Sequence, residues 1–348
     1  MSTLQTSSPL RLGILGGANI AKQFTRDVRP SERVRVTAVA SRSEDNARAY
    51  AEANQIDTWF GSYEAMLASA EIDAIYLPLP NSLHAEWAIK AAEHGKHILC
   101  EKPLALNRDE AERMFDAAER HNVLLLEAFP FYFQPQTTDM MTLIGEGAIG
   151  SVRSMQANFG FTVRDPGTNI RMKPELGGGA LLDAGSYPLS LIRLVMGGAP
   201  HSVQAVATWA DSNVDISLMA TLLYADGRRA QLSCAMDGAN HRLATIVGTQ
   251  GTIDTEYLNH TSDEIAGNAY GYLPSQMRVR RGIPNSVPFE AVTSQTGSGF
   301  LFAAERFAQM IASHDEAASA YYMQASLDNA ATLAAIIESA RTGRIVEL

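Results

Sequence analysis

The first third of the chain alternates short, uninterrupted apolar runs with segments of helical periodicity, and this alternation constrains the fold more than any other feature. The apolar runs are residues 10–15, 34–40, 74–79, 97–100 and 123–126. The helical segments between them are residues 20–28, 44–53, 84–94 and 108–120. Strands that are apolar throughout are typical of burial on both faces. The alternation therefore predicts a parallel sheet covered by helices on both sides.

After about residue 130 the strands follow one another directly, at 152–161, 202–210, 216–224, 229–236 and 244–247. Residues 225–228 (Ala-Asp-Gly-Arg) predict a hairpin turn between two of them. Helices are expected at 179–196, 299–312 and 322–342. Successive strands with short turns indicate a largely antiparallel sheet and an α+β half. The segment 259–288 is rich in Gly, Asn, Pro and Ser and predicts a long loop, either mobile or a partner contact.

Charge and cysteine usage exclude several classes of protein. The chain has 28 Lys and Arg against 38 Asp and Glu, a net charge of −10. We therefore expect no nucleic-acid or membrane partner, although a local pocket can still hold an anionic ligand. The start of the chain lacks the pattern of a signal peptide, and no apolar run has the length of a bilayer span. Two cysteines, Cys100 and Cys234, make no disulfide framework, which favours the cytoplasm.

A glycine-rich turn follows the first predicted strand and opens the first predicted helix. Residues 13–21 read Gly-Ile-Leu-Gly-Gly-Ala-Asn-Ile-Ala, in which Gly16, Ala18 and Ala21 follow the G-x-G-x-x-A spacing of dinucleotide-binding folds with Ala in the middle place. Small residues let the backbone approach a pyrophosphate, which the helix N-terminus attracts. The alternative is an ordinary tight strand–helix turn, but the position at the first βα junction favours the dinucleotide site.

The end of the second strand carries Ser41 and Arg42 where an NAD enzyme usually has an acidic residue for the ribose 2′-hydroxyl. A hydroxyl and a guanidinium suit a 2′-phosphate, so NADP(H) is favoured over NAD(H). The alternative is a solvated arginine at a helix start.

Two further motifs carry candidate catalytic groups. Glu101-Lys102-Pro103 ends a predicted strand, where the carboxyl edge of a parallel sheet faces the ligand crevice. Three glycines, 177–179, open a helix that carries Asp183 and Tyr187 four residues apart, hence on one face. An acid and a phenol there form a plausible proton-donor pair. The alternatives are a surface salt bridge at Lys102, and a dipole-stabilising Asp183 beside a core Tyr187.

Together these motifs resemble the glucose–fructose oxidoreductase, inositol dehydrogenase and rhizopine-catabolism (Gfo/Idh/MocA) family over nearly the full chain. The resemblance also rests on Leu79-Pro80-Asn81-Ser-Leu-His84, on Glu127-Ala-Phe and on the ending 339–346. It implies an α/β Rossmann domain, residues 1–128, and an α+β domain, residues 129–348, with a large, mostly antiparallel, open-faced sheet. The last segment, about 320–348, is expected to pack on the first domain. A homodimer or homotetramer through that sheet is implied.

The resemblance assigns roles residue by residue. Lys102 matches the family's conserved lysine. Tyr187 stands at a position where other members have His. A tyrosine at this position resembles the branch that contains glucose–fructose oxidoreductase, dihydrodiol dehydrogenase, NADP-xylose dehydrogenase and nucleotide-sugar 3-ketoreductases. The predicted catalytic residues are Lys102, Asp183 and Tyr187. Asn169 and Arg171 join these three as predicted substrate-binding residues. The predicted cofactor-binding residues are Gly16, Ala18, Asn19, Ile20, Ser41, Arg42, Leu79, Pro80, Asn81, His84, Glu101, Lys102 and Glu127.

The implied activity is NADP(H)-dependent hydride transfer at a carbinol or carbonyl carbon of a sugar or sugar derivative. Tyr187 is expected to donate the proton and Lys102 to stabilise the oxygen. The alternatives are a dihydrodiol- or aldehyde-type dehydrogenase of the same family and a non-catalytic NADP-sensing regulator. In a departure from the family pattern, Tyr132 and Gln134 replace its usual Arg and His. No metal site is expected, because the eight histidines show no ligand spacing.

Overall fold

The first of two sheets in this computed structural model, which describes residues 8–264, 268–274 and 276–348, is a six-stranded parallel sheet. Its order is β3-β2-β1-β4-β5-β6. The strands are β1 Leu10–Leu15, β2 Val34–Ala40, β3 Thr58–Phe60, β4 Ala74–Leu77, β5 His97–Glu101 and β6 Leu125–Ala128. The strand order reverses beside β1, so the carboxyl ends of β1 and β4 flank a crevice of the kind that binds ligands in such sheets.

Helices cover both faces of this sheet, as predicted. They are α1 Asn19–Val28, α2 Glu44–Asn54, α3 Tyr63–Leu67, α4 His84–Glu93 and α5 Arg108–Arg120. The central strands are fully buried, with Leu12, Ile14 and Ile75 at 0% exposure. The elements β3 and α3 were not predicted, because three- and five-residue segments are too short for a periodicity to be recognised.

The second sheet has nine strands in the order β14-β13-β12-β11-β7-β10-β9-β8-β15. Every neighbouring pair is antiparallel except β7 and β10, so the predicted, mostly antiparallel second sheet is confirmed. The predicted hairpin joins β9 to β10, where Gly227 has φ +84°. The strands are β7 Val152–Thr162, β8 Ser202–Trp209, β9 Asp215–Leu223, β10 Arg229–Ala235, β11 Asp237–Gly248, β12 Gly251–Glu256, β13 Gln276–Arg281, β14 Glu290–Val292 and β15 Val346–Glu347.

The prediction of a long loop over 259–288 is wrong for residues 276–281, which form β13 between β12 and β14. Met277 and Val279 are buried while Arg278 is exposed, so the segment has the two-residue period of a strand with one face covered. The surrounding glycines, prolines and serines obscured this short signal. Residues 265–267 and 275 of the predicted loop lie outside the described residues.

Four further helices follow the first sheet in the chain: α6 Pro135–Gly145, α7 Ser186–Met196, α8 Gly299–Ser313 and α9 Glu316–Thr342. The predicted helix over 179–196 starts instead with a π-helical turn, Leu181–Gly185, that leads into α7. Helices α7 and α9 pack on the second sheet, whereas α8 packs on α1 and α9 also contacts α5. The domain boundary near residue 128 stays a prediction.

None of the helices among the described residues combines the length and the apolarity needed to span a bilayer. In the same part of the chain, no cluster of three or more His, Cys, Asp or Glu side chains is arranged to hold a metal ion. Cys100 and Cys234 are both buried and free.

Candidate active site

A cleft of two connected lobes lies between the sheets, at the carboxyl ends of the first sheet's strands. The inner lobe, about 560 Å³, is lined by the α1 turn, the segment after β4, the end of β5 and the π-helical turn. The outer lobe, about 860 Å³, is lined by the second sheet and the segment after β12. The two lobes share the side chains of Phe159, Phe161, Asn169, Arg171, Arg242 and Asn259.

The turn before α1 has the shape of a phosphate cradle. Gly16 has φ +100°, and a Cβ there would lie 2.9 Å from Cδ2 of Leu79. Helix α1 begins after Ala18 without a side-chain cap, so its first N–H groups and the positive end of its dipole are left to a ligand. Ala18, Asn19 and Ile20 line the inner lobe from one side, and Leu79, Pro80 and Asn81 from another. This turn fits the pyrophosphate of a dinucleotide.

The end of β2 lies next to the same turn. The Arg42 side chain lies near the Tyr63 hydroxyl, and that hydroxyl lies 3.5 Å from where a Cβ on Gly16 would stand. Burial raises the pKa of Tyr63, and the nearby Arg42 partly opposes this. Arg42 itself is exposed, and residues 41–43 carry two hydroxyls and a guanidinium but no carboxylate. This donor set fits a phosphate group on the adenosine ribose.

Lys102, Asp183 and Arg171 form an ion triad at the floor of the inner lobe. Lys102 Nζ donates to Asp183 Oδ1 at 3.1 Å and to its carbonyl oxygen at 3.0 Å, and Arg171 Nε donates to Oδ2 at 2.5 Å. Burial alone would raise the pKa of Asp183, but the two cations outweigh it and lower this pKa to about 2. Burial likewise opposes the charge on Lys102, but Asp183 and other neighbours raise its pKa. The triad therefore keeps a buried ammonium charged.

Glu101 precedes Lys102 in the chain and also lines the inner lobe. The Tyr76 hydroxyl donates to Glu101 Oε1 at 2.5 Å, and the Lys102 backbone N–H donates to Oε2 at 3.3 Å. Burial raises the pKa of Glu101 despite the nearby lysine. The Lys102–Pro103 peptide bond is cis. Glu101 thus supports the backbone from which the Lys102 side chain extends.

A strained turn positions the helix that carries Asp183 and Tyr187. Gly179 has φ +116°, and a Cβ on it would lie 2.2 Å from Oδ1 of Asp215. The other oxygen of Asp215 accepts from the Leu181 backbone N–H at 2.6 Å, at the start of the π-helical turn. Such turns are frequent at functional sites. Here the π-helical turn brings the side chains of Asp183 and Tyr187 to Lys102, whose Nζ lies 4.8 Å from the centroid of the Tyr187 ring.

Tyr187 is held in an aromatic cage and lines the inner lobe with 7% of its surface exposed. Phe159 and Phe129 pack edge-on against its ring, at centroid distances of 5.3 and 5.6 Å. The Arg242 guanidinium lies 4.3 Å from the ring centroid. Among the described residues Arg242 makes no ion pair, so its charge is left to the aromatic rings and the cleft.

Two predicted cofactor residues, His84 and Glu127, lie behind the cleft wall. His84 is fully buried, and its ring nitrogens are each 2.9 Å from a backbone carbonyl oxygen, of Pro103 and of Leu79. Burial lowers the pKa of His84. His84 therefore lies between the segment after β4 and the segment after β5, and the single N–H of its neutral ring donates to a carbonyl oxygen of one of them.

Glu127 is likewise occupied by protein groups. It accepts from the Leu104 backbone N–H at 2.8 Å and from the Ser326 hydroxyl on α9 at 2.7 Å. Burial raises the pKa of Glu127 to about 7. His84 and Glu127 thus support the strand ends that form the cleft, and their predicted contact with the cofactor stays a prediction.

Several cleft residues were not identified from the sequence. Phe159 and Phe161 project from β7, Arg242 from β11, and Asn259 from the segment after β12. None of them lies in a motif, and each reaches the cleft through long-range strand pairing. The predicted pair Asn169 and Arg171 does line the cleft, with the Arg171 backbone N–H donating to Asn169 Oδ1.

Two family models match the chain. A model described as an oxidoreductase family with an NAD-binding Rossmann fold matches residues 10–129, and one described as the GFO/IDH/MocA C-terminal domain matches residues 138–254. The chain is similar to D-xylose 1-dehydrogenase (NADP(+)) 2 of Haloferax volcanii, with 39% identity covering 70% of this chain and 75% of the relative. It is similar to a trans-1,2-dihydrobenzene-1,2-diol dehydrogenase of Danio rerio, with 35% identity covering 70% and 73%.

Among solved structures, the chain is similar to a 3-ketoreductase from Actinomadura kijaniata in complex with NADP and TDP-benzene. The TM-score is 0.82, at 30% identity over 95% of this chain and 98% of the other. The similarity thus extends over both sheets and the cleft between them.

Proposed function

This chain belongs to the GFO/IDH/MocA family of NAD-binding oxidoreductases, and we propose that it transfers a hydride between NADP(H) and a carbinol or carbonyl carbon of a sugar or sugar derivative. The observation that carries the proposal is that the Lys102 ammonium contacts the Asp183 carboxylate and lies over the Tyr187 ring, and that all three side chains line the inner lobe beside the dinucleotide turn. The relatives' names, which include dehydrogenases and reductases of sugars, support the substrate class.

The cofactor is NADP(H) in this proposal. The uncapped start of α1 and the Gly16 turn would hold the pyrophosphate, and Arg42 with Ser41 would hold the 2′-phosphate. Leu79, Pro80 and Asn81 would line the path toward Lys102. When bound, the nicotinamide supplies the hydride chemistry.

The protein's own contribution is a proton and a positive potential. In the reducing direction Tyr187 donates its phenolic proton to the substrate oxygen. Lys102 stabilises the negative charge that develops on that oxygen, and Asp183 keeps the lysine charged and aimed. In the oxidising direction the same phenol oxygen accepts the proton. The aromatic cage holds the Tyr187 ring so that its hydroxyl faces the lobe.

Replacing Tyr187 with Phe tests this role. We expect kcat to fall by about 10²–10⁴-fold, because the proton donor is lost. The affinity for NADPH, measured by fluorescence titration, is expected to stay within about twofold, because the ring and its packing are retained. Tyr270→Phe, at a half-exposed tyrosine outside the cleft, is the matched control. Unchanged turnover of the Tyr187 variant would remove the phenol from the mechanism.

Replacing Arg42 with Ala tests the cofactor assignment without measuring activity. Hydrogen bonds to a charged group contribute about 1.5–3 kcal/mol, so the Kd for NADPH is expected to rise about 10–100-fold. The Kd for NADH is expected to change little. Arg48→Ala, at an exposed arginine on α2 paired with Asp45, is the control. Equal losses for both cofactors would contradict a 2′-phosphate site at Arg42.

A second candidate substrate class, vicinal diols on an unsaturated or aromatic ring, is favoured by the side chains of Phe159, Phe161 and Ile170 along the cleft. A substrate panel of aldoses, ketoses, nucleotide ketosugars and cyclic trans-diols, assayed with NADPH or NADP⁺, separates the two classes. A purely NADP-sensing role is disfavoured, since a sensor has no need of the Lys102, Asp183 and Tyr187 set.

The proposed oligomer is a homodimer or homotetramer through the open face of the second sheet. Val206, 67% exposed on β8, lies opposite Met219, 64% exposed on the adjacent strand β9, and Leu243 on β11 is 48% exposed. A patch of this kind on a sheet indicates an interface. Light scattering should give at least twice the 37.6 kDa chain mass, and Met219→Lys should lower it.

A further inference from the structure

The segment after β12 places Asn259 beside the proposed proton donor. Asn259 Nδ2 donates to the Tyr187 Oη at 3.3 Å, and the side chain lines both lobes of the cleft. The segment comes from the second sheet and carries no recognisable motif. The contact is nevertheless specific, because it joins a side-chain amide to the one atom from which the proton would leave.

The other end of the same amide has no partner. Asn259 Oδ1 is buried and accepts no hydrogen bond from any described residue. A buried carbonyl oxygen without a donor is destabilising unless a ligand or water donates a hydrogen bond to it. Because this oxygen belongs to a residue that lines the inner lobe, a hydroxyl of the substrate is the donor that suits it.

The backbone of Asn259 is held from two directions, so the side chain has a defined place. Its carbonyl oxygen accepts from Gln134 Nε2 at 2.6 Å and from the Gly299 backbone N–H at 2.8 Å. Gln134, only 1% exposed, also donates to the Gly297 carbonyl oxygen at 2.9 Å. This gives a function to the glutamine that departs from the family pattern: it fixes the segment that carries Asn259.

The next residue, His260, ties the same segment to the first domain. Its Nε2 lies 3.0 Å from Gln23 Nε2 on α1, and its ring stacks on Tyr272 at a centroid distance of 4.5 Å. The Tyr272 hydroxyl donates to Asp27 Oδ2 at 2.7 Å. Asn259 is therefore positioned against both the helix of the dinucleotide turn and the Tyr187 ring.

We propose that Asn259 orients the Tyr187 hydroxyl through its N–H and binds, through Oδ1, a substrate hydroxyl on the carbon next to the reacting one. The N–H takes a lone pair of Oη, so the phenolic proton is left to point at the substrate oxygen. The oxygen of the same amide shares one planar group with that N–H, so a substrate that presents one oxygen to Oη can present the oxygen on the adjacent carbon to Oδ1. The substrate class is then a vicinal diol or its α-hydroxy carbonyl partner. This inference rests on the proposed function.

Two substitutions separate the two roles. Asn259→Asp keeps an acceptor of the same shape but has no N–H, so kcat is expected to fall at least tenfold while the preference for an adjacent hydroxyl persists. Asn259→Ala removes both groups, so the preference is expected to fall as well, by about 10–100-fold. The preference is measured as a ratio of two kcat/KM values. The first is for a substrate of the wild-type enzyme that carries a hydroxyl on the carbon next to the reacting one, and the second is for the analogue that lacks this hydroxyl.

A double-mutant cycle tests whether Asn259 acts through Tyr187. In the Tyr187→Phe background, Asn259→Asp is expected to lower the residual kcat less than twofold, because the oxygen that its N–H positions is absent. A merely structural role would give the same loss in both backgrounds. Asn285→Ala, at an exposed turn after β13, controls for asparagine removal, and the NADPH Kd reports the integrity of each variant.

The outcomes are distinct. If the wild-type enzyme turns over no member of the panel, the proposed function fails. The orienting role is overturned if the wild-type enzyme turns over substrates and Asn259→Asp has the same kcat. It is also overturned if Asn259→Asp lowers kcat by the same factor in the Tyr187→Phe background as in the wild-type enzyme. If the wild-type enzyme and Asn259→Ala treat hydroxylated and deoxy substrates alike, the binding role is overturned.

Discussion

Replacing Asp183 with Asn tests the electrostatics of the cleft most directly. This one carboxylate bridges Lys102 and Arg171, at 3.1 and 2.5 Å, and its side chain is only 20% exposed. Asparagine keeps the shape of the side chain but removes the charge. The variant therefore leaves a buried ammonium without its principal counter-charge.

The magnitude follows from the pKa of Asp183, which is lowered from its ordinary value of 3.8 to about 2. A difference of this size corresponds to about 2 kcal/mol of folding stability. Because the folded-state pKa is depressed, this stability is fully present above pH ~4 and is lost as the pH falls toward 2. We therefore expect Asp183→Asn to lower the free energy of unfolding by about 2 kcal/mol at every pH from 5 to 8, and Tm by on the order of 3 °C.

In the proposed mechanism the same substitution also alters catalysis, through its effect on the pKa of Lys102. Its pKa is raised at present because Asp183 and other neighbours outweigh its burial. Without Asp183, burial dominates and this pKa falls. The alkaline limb of the kcat profile is therefore expected to move to lower pH in the variant, with kcat at neutral pH reduced about 10–100-fold.

Urea denaturation at pH 5 and pH 8, together with the pH–rate profile, measures both effects. Asp45→Asn is the matched control, since Asp45 forms an exposed ion pair with Arg48 and is expected to change stability by less than about 1 kcal/mol. The reasoning is refuted if Asp183→Asn is as stable as the wild type at both pH values and its alkaline limb is unmoved.

Two further predictions concern the supports of the cleft. Gly179→Ala is expected to lower the unfolding free energy by about 2–4 kcal/mol and to reduce kcat, because φ is +116° and the methyl group would displace the Asp215 carboxylate. The control is Gly198→Ala, in which the new methyl group meets no atom within 4 Å; it should change the unfolding free energy by less than about 0.5 kcal/mol. Glu127, with its pKa raised from 4.5 to about 7, makes the fold less stable by about 3 kcal/mol as the pH rises between these values. Glu127→Gln should flatten that pH dependence in urea denaturation, and an unchanged slope would count against it.

The first sheet could be predicted because its signal is local. Continuous apolar strands and helical periodicity lie within short windows, and the carboxyl ends of parallel strands meet at one edge. The sequence alone therefore places Lys102 and the Gly16 turn in the same crevice. The hairpin at Gly227 follows from residue types with strong local preferences.

The rest of the site depends on contacts that a single sequence does not encode locally. Arg242 and Asn259 reach the cleft only because β11 and β12 pair with β7 and with each other. The π-helical turn at Leu181–Gly185 inserts an extra residue that the helical pattern around it conceals. Likewise, whether a predicted polar residue such as His84 faces a ligand or the protein depends on the backbone carbonyls that fold around it.

The charges of the cleft explain why one arrangement can serve both directions of a hydride transfer. Lys102 and Arg171 share the single carboxylate of Asp183, and Arg242 adds a cation with no ion-pair partner among the described residues. Burial raises the pKa of Glu101, so this carboxyl group opposes the positive potential only weakly. The proposed position of the substrate oxygen therefore lies in a net positive potential. Reduction and oxidation pass through the same partly negative oxygen, so a fixed positive potential lowers the barrier in both, and the ratio of oxidised to reduced cofactor sets the direction.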